Sequence, residues 1–112
     1  DLHLPLAEAG ERLVRFLAAN GAKACVTFGA GGLVACDGGA SFTLPALKIT
    51  PKNTTGAGDS FLAAFAKASG EGRNFREALA LASAAAGLFV ESGLPDWDTV
   101  ERRSRPLMNE EV

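Results

Sequence analysis

Residues 53–60 read Asn-Thr-Thr-Gly-Ala-Gly-Asp-Ser, and the run Phe-Leu-Ala-Ala-Phe-Ala-Lys-Ala-Ser-Gly that follows has the composition of a helix. This spacing puts a tight Gly56-Ala57-Gly58 turn and a carboxylate, Asp59, at a helix mouth. The first N–H groups of a helix have no intrahelical partner, and the helix dipole adds partial positive charge at the same end. Together they form a cradle for a phosphate or another anion. A carboxylate held ionised there can accept a proton from a substrate hydroxyl. An anion cradle beside a base is what phosphoryl transfer to an alcohol requires. The competing reading is local: Gly-x-Gly before a helix is common, and Asp near a helix start is a routine cap.

The elements that must position this turn can be read along the chain. Residues 6–20 carry Leu13, Phe16 and Leu17 at helical spacing, with Glu11, Arg12 and Arg15 expected to face out, and Asn20-Gly21 supplies a stop. Ala22–Phe28 reads as an apolar strand, followed by a flexible turn at Gly29-Ala30-Gly31-Gly32. Leu33–Cys36 and Ser41–Leu44 read as two strands joined by the hairpin turn Asp37-Gly38-Gly39. Ile49 lies in a short extended piece before Pro51. A helix opening at Gly58 or Asp59 should run to about Ser69, where Gly70-Glu71-Gly72 ends it. Asn74 with Glu77 forms a capping-box pattern for a helix from Phe75 to about Glu91. Ser92-Gly93 closes it, and Pro95-Asp96 opens a last amphipathic helix around Trp97, Val100 and Leu107. The tail 109–112 is expected to fray. Helix, short turn and apolar strand in succession are the step of an α/β fold.

With 112 residues, 47% of them apolar and 21% charged, the chain is globular and has room for one modest core. A net charge of −2 gives no electrostatic case for nucleic acid or a membrane surface. The Arg102-Arg103-Ser104-Arg105 cluster sits near Glu101, Glu110 and Glu111, which favours a solvated helix face. Cys25 and Cys36 both fall in strand-like runs and read as buried free thiols, as expected in a reducing cytosol. His3 reads as a solvated residue near a terminus. The longest nearly pure apolar run, Ala78–Val90, is too short to span a bilayer and suits a buried helix. No signal peptide pattern opens the chain. A cytoplasmic location follows as the expectation.

The stretch Thr54-Thr55-Gly56-Ala57-Gly58-Asp59-Ser60-Phe61 closely resembles the signature of the ribokinase-like sugar kinases, the PfkB carbohydrate kinase family. Val26-Thr27-Phe28-Gly29 followed by Gly31-Gly32-Leu33-Val34 resembles that family's strand–Gly–hairpin step. Ala82-Ser83-Ala84-Ala85-Ala86 resembles its small-residue helix beside adenine. The resemblance covers roughly residues 10–95. It implies the C-terminal part of a three-layer α/β/α sandwich, with residues 1–112 a partial domain that lacks the sugar-binding part and the lid. It further implies ATP with Mg2+ as cofactors and a small sugar as acceptor. In that frame Asp59 is the base, and the amides of Gly56, Ala57 and Gly58 stabilise the transferring phosphate. Thr27, Gly29, Gly32 and Ser83 border the nucleotide, and Mg2+ is held chiefly by ATP phosphates and water.

Asn53 departs from the family pattern, which has an aspartate there. In the family that carboxylate, with the carbonyl of the residue matching Thr55, helps hold a monovalent cation. An amide supplies an oxygen without charge, and cation affinity rises with ligand charge, so weak K+ dependence is expected. Two alternatives remain beside a sugar kinase: a pseudouridine-like nucleoside kinase of the same superfamily, and a non-catalytic fragment serving as an interaction module. A helix apolar on nearly every face needs cover on several sides. Self-association through residues 75–91 is therefore expected, and the isolated chain is expected to be inactive.

Overall fold

Why the chain folds in two places rather than one follows from where its apolar residues fall. The computed structural model describes residues 6–109, which separate into two compact units between Pro45 and Ala46. His3 and the end of the tail lie outside the described residues.

In the first unit, helix α1 (Leu6–Ala19) packs on a sheet of strands β1 (Lys23–Thr27), β2 (Leu33–Asp37) and β3 (Ala40–Leu44). The order is β1-β2-β3, and both pairings are antiparallel. Gly38 and Gly39 both have positive φ, 61° and 103°, so a two-residue turn closes the β2–β3 hairpin on the pair Asp37–Ala40. Residues 45–51 join no strand. The core residues are Val14, Leu33, Ala35, Cys36 and Leu44.

α1 presents a different face from the one expected. Val14 is fully buried and Leu17 half-buried, and Arg12 and Arg15 are exposed as expected, whereas Leu13 is 51% and Phe16 66% exposed. The cause is Gly10, one turn before Val14. A Cβ there would lie 2.9 Å from Phe28 Cε1 and 3.1 Å from Val26 Cγ1, so the helix approaches the strand on its Gly10–Val14 side. The apolar stripe of Leu13 and Phe16 is left on the opposite flank.

The second unit consists of three helices, α2 (Ala57–Gly70), α3 (Phe75–Ser92) and α4 (Trp97–Asn109), after an extended approach. Ala64 and Ala68 of α2 pack against Ala78, Leu81, Ala82, Ala85 and Leu88 of α3, with Val100 and Leu107 of α4 completing the core. Phe61, Phe65, Leu47 and Trp97 close its margins, and Phe65 meets Phe75 edge-on at 5.9 Å. The Asn74–Glu77 capping box forms as expected, with Glu77 N–H donating to Asn74 Oδ1 at 2.8 Å and Asn74 N–H to Glu77 Oε1 at 3.2 Å. Asp96 caps α4 by accepting the Thr99 N–H at 2.8 Å. That bond holds its carboxyl below the ordinary aspartate range. Arg73 pairs with Glu101, tying the α2–α3 turn to α4. Pro106 lies in the last turns of α4 and lacks the N–H that would bond the Arg102 carbonyl.

The expectation of an under-covered α3 is corrected. Ala78–Ala82, Ala84, Ala85, Leu88 and Val90 are all buried. Alanine is small enough for helices to approach closely, and Ala78, Leu81, Ala82, Ala84, Ala85 and Leu88 share one core with residues of α2 and α4. The expectation of self-association through residues 75–91 rested on exposure of this helix, and the residues just named are buried within the chain itself. Among the described residues the exposed large apolar side chains are instead Leu13, Phe16, Leu62 and Leu94. Among the described residues no single helix is long and apolar enough to cross a membrane.

Candidate active site

The turn before α2 is built by one glycine. Gly56 is the N-cap residue, in the left-handed region at φ 91°, ψ 0°. Only glycine adopts this without strain, and the Phe89 ring lies 3.2 Å from the position a Cβ would take. Ala57 and Gly58 are already helical, so the helix opens one residue earlier than the sequence suggests. Gly58 has no positive φ, and nothing lies within 4 Å of its Cβ position. The protein itself has no steric need for glycine there.

The amides divide into engaged and open donors. Ala57 N–H donates to the Thr54 carbonyl at 3.2 Å, and Ser60 N–H to the Gly56 carbonyl at 3.0 Å. The amides of Gly56, Gly58 and Asp59 find no acceptor among the described residues. Of the three amides expected from sequence, that of Ala57 is therefore engaged, and the amide of Asp59 itself is an open donor that sequence reasoning missed. It could have been found by counting: the third residue of any helix has an orphan N–H.

Asp59 is the third residue of α2 and is exposed. Its carboxylate makes no capping bond and no ion pair among the described residues. The cap reading of this residue thus finds no support in its contacts. Leu62, Ala63 and Ala66 share its exposed side of α2, while Ala64 and Ala68 face the core. The buried alanines orient the helix and so turn Asp59 to solvent.

Upstream, Asn53 Oδ1 accepts the Thr55 N–H at 3.0 Å. The Val90 carbonyl, in the last turn of α3, accepts the N–H groups of Lys52 at 3.0 Å and Asn53 at 3.2 Å. Ser83, Ala86 and Gly87 are half-buried and lie on one face of α3 by helical spacing. Leu47 lies 3.4 Å from the Cβ position of Gly87. Neither Leu47 nor Phe89 was singled out from sequence, because each acts through a contact distant along the chain.

Thr27, Gly29 and Gly32 belong to the first unit. Thr27 ends β1 and is exposed. A short 3-10 turn, Gly29–Gly31, follows, closed by Phe28 N–H to the Gly32 carbonyl at 2.8 Å. Gly29 and Gly32 have φ of 58° and 86°, so each glycine has a reason within the turn itself. Cys25 and Cys36 are unpaired. Burial pushes the Cys25 thiol up to about 11, which makes it a poor nucleophile at neutral pH. Among the described residues no three His, Cys, Asp or Glu side chains gather to hold a metal.

The profile of the pfkB family carbohydrate kinases matches residues 3–97. The chain therefore belongs to the pfkB carbohydrate kinase family. It is similar to the ribokinase of Bacillus subtilis (strain 168), 39% identical over 90 residues, covering 76% of this chain and 31% of that protein. Among solved structures, the ribokinase of Thermotoga maritima matches with a TM-score of 0.71 at 32% identity, covering 88% of this chain and 34% of that one. The ribokinase of Arabidopsis thaliana, complexed with ribose and ATP, matches with a TM-score of 0.66 at 32% identity, covering 74% of this chain and 29% of that one. The fold is thus α/β and ribokinase-like, and the chain spans about a third of the length of these relatives.

Proposed function

We propose that residues 1–112 are the nucleotide-binding and phosphoryl-transfer part of an ATP-dependent sugar kinase. The observation that carries this reading is the start of α2. Open amides at Gly56, Gly58 and Asp59 stand beside an exposed carboxylate that does no capping. The amides would hold the transferring phosphate, and Asp59 would accept the proton of the sugar hydroxyl. Membership of the pfkB family supports a sugar as acceptor, and the ATP and ribose bound by the Arabidopsis relative support the two substrates. Thr27, Gly29, Gly32 and Ser83 would border the nucleotide. Mg2+ would enter on the ATP phosphates, where it would neutralise charge. The unpaired thiols accord with a cytoplasmic setting. The acceptor pocket would come from sequence matching the other two-thirds of the relatives, so this chain alone should phosphorylate no sugar.

The test is a chimera in which this chain replaces the matching part of the Bacillus subtilis ribokinase. Asp59→Asn keeps the shape and removes the proton acceptor. Base catalysis contributes about 10²–10⁴-fold, so kcat should fall by that factor while ATP affinity holds. Near-normal turnover would exclude Asp59 as the base.

A further inference from the structure

We propose that Asn53 is a positioning residue whose side-chain amide oxygen holds the phosphate-binding turn in order without help from a monovalent cation. The proposal rests on the phosphoryl-transfer reading of the α2 start. Its ground is a continuous set of bonds from the end of α3 to the start of α2. The Val90 carbonyl has no intrahelical partner so close to the end of its helix, and it takes the amides of Lys52 and Asn53. Asn53 Oδ1 then takes the Thr55 N–H at 3.0 Å. The Thr54 carbonyl takes the Ala57 N–H, and Gly56 makes its left-handed turn against the Phe89 ring. After that turn the amides of Gly58 and Asp59 are left open.

Thr54 and Thr55 are themselves exposed, so burial does little to hold them. Among the described residues the Asn53 oxygen is the one side-chain partner of this backbone stretch. Without it the Thr55 N–H turns to water, and the path from Val90 to Gly56 loses its middle tie. The same oxygen fits a cation poorly. It is neutral, and one lone pair already faces the Thr55 N–H, whereas cation affinity rises with ligand charge. The turn is thus ordered from within the chain, and its affinity for a nucleotide should not depend on K+.

The experiment uses the isotope-labelled 112-residue chain with ATP as the probe, in potassium, sodium and choline chloride. It follows Thr55 amide exchange with solvent and the shifts of the Gly58 and Asp59 amides. A single neutral hydrogen bond is worth a factor of about five in such an equilibrium. Asn53→Leu should therefore speed Thr55 exchange about fivefold and weaken ATP binding by a similar factor, with helix content unchanged by circular dichroism. Asn53→Asp keeps the acceptor and should restore slow Thr55 exchange, while making ATP binding K+-dependent. The native chain should bind ATP equally in all three salts. Equal Thr55 exchange in the native chain and Asn53→Leu would overturn the proposal, as would native binding strengthened severalfold by K+. If no form of the chain binds ATP, the phosphate-site reading itself fails, and the exchange comparison still decides whether Asn53 orders the turn.

Discussion

Two glycines two residues apart should respond to the same substitution with opposite signs. Gly56 sits at φ 91°, where a Cβ costs about 1–2 kcal/mol. The Phe89 ring atoms at 3.2 and 3.3 Å must also give way. Gly58 lies in the first turn of α2, with nothing within 4 Å of its Cβ position. Alanine is better than glycine in a helix by about 0.5–1 kcal/mol. For a chain of this size each kcal/mol moves the melting temperature by roughly 4–8 °C. Gly56→Ala should therefore melt several degrees below the native chain, and Gly58→Ala a few degrees above it. Both should lose ATP. At position 58 the new methyl would add bulk beside the open amides of Gly58 and Asp59. Loss of one hydrogen bond to a charged acceptor is worth about 1.5–3 kcal/mol, or roughly tenfold to a hundredfold in affinity. Thermal melts by circular dichroism and ATP titration followed by amide shifts read the two effects separately. A Gly58→Ala chain that is more stable and binds ATP as the native chain does would refute the phosphate site. One that is less stable would refute the geometry assigned to the turn.

Other consequences are more local. Asn74→Ala removes the side chain that receives the Glu77 amide and should lower stability by about 1 kcal/mol in urea titrations. The Asp96 carboxyl titrates below its unfolded value of about 4 because it accepts the Thr99 N–H. Its contribution is therefore present above that pH and is lost as pH falls through the lower folded value. Asp96→Asn should accordingly flatten the acid limb of the stability curve. Burial raises the Cys25 thiol to about 11 against an unfolded value near 8.5. At pH 8 native Cys25 should react with a disulfide reagent about a hundredfold more slowly than in urea. The thiol should also destabilise the fold as pH rises above 8.5 toward 11.

What could be read from sequence was mostly what local chemistry decides. The Asn74–Glu77 capping box, the Gly38-Gly39 turn and the stop at Gly93 each follow from residues within a few positions of one another. Trp97, Val100 and Leu107 were found as the inner face of α4 because a single period governs them. The misreadings came from contacts made at a distance. Helical spacing alone cannot say which of two apolar flanks of α1 turns inward. Gly10 decided it, through a strand that comes later in the chain. The cover of α3 was underestimated because counting apolar residues ignores how closely alanines let α2 and α4 approach. At the site, the residue types were legible. The division of amides into engaged and open was not, since it depends on where Thr54 and Gly56 place their carbonyls.

The start of α2 carries two residues whose types the packing of the fold does not require. Glycine stands at position 58 although alanine would fit and favour the helix. A carboxylate stands at position 59 and makes no capping bond, although Asn74 and Asp96 show that this chain caps its helices where capping is wanted. Neither feature is explained by packing: Gly58 meets nothing, and Asp59 is exposed. By contrast Gly56, Gly29 and Gly32 each answer a backbone need of their own turn. The glycine that the fold does not need is therefore stronger evidence for a ligand than the glycines that it does. With an unused carboxylate one residue on, a phosphate would have room beside a proton acceptor, and that pairing is the reason to seek phosphoryl transfer at α2 rather than at the Gly29–Gly32 turn.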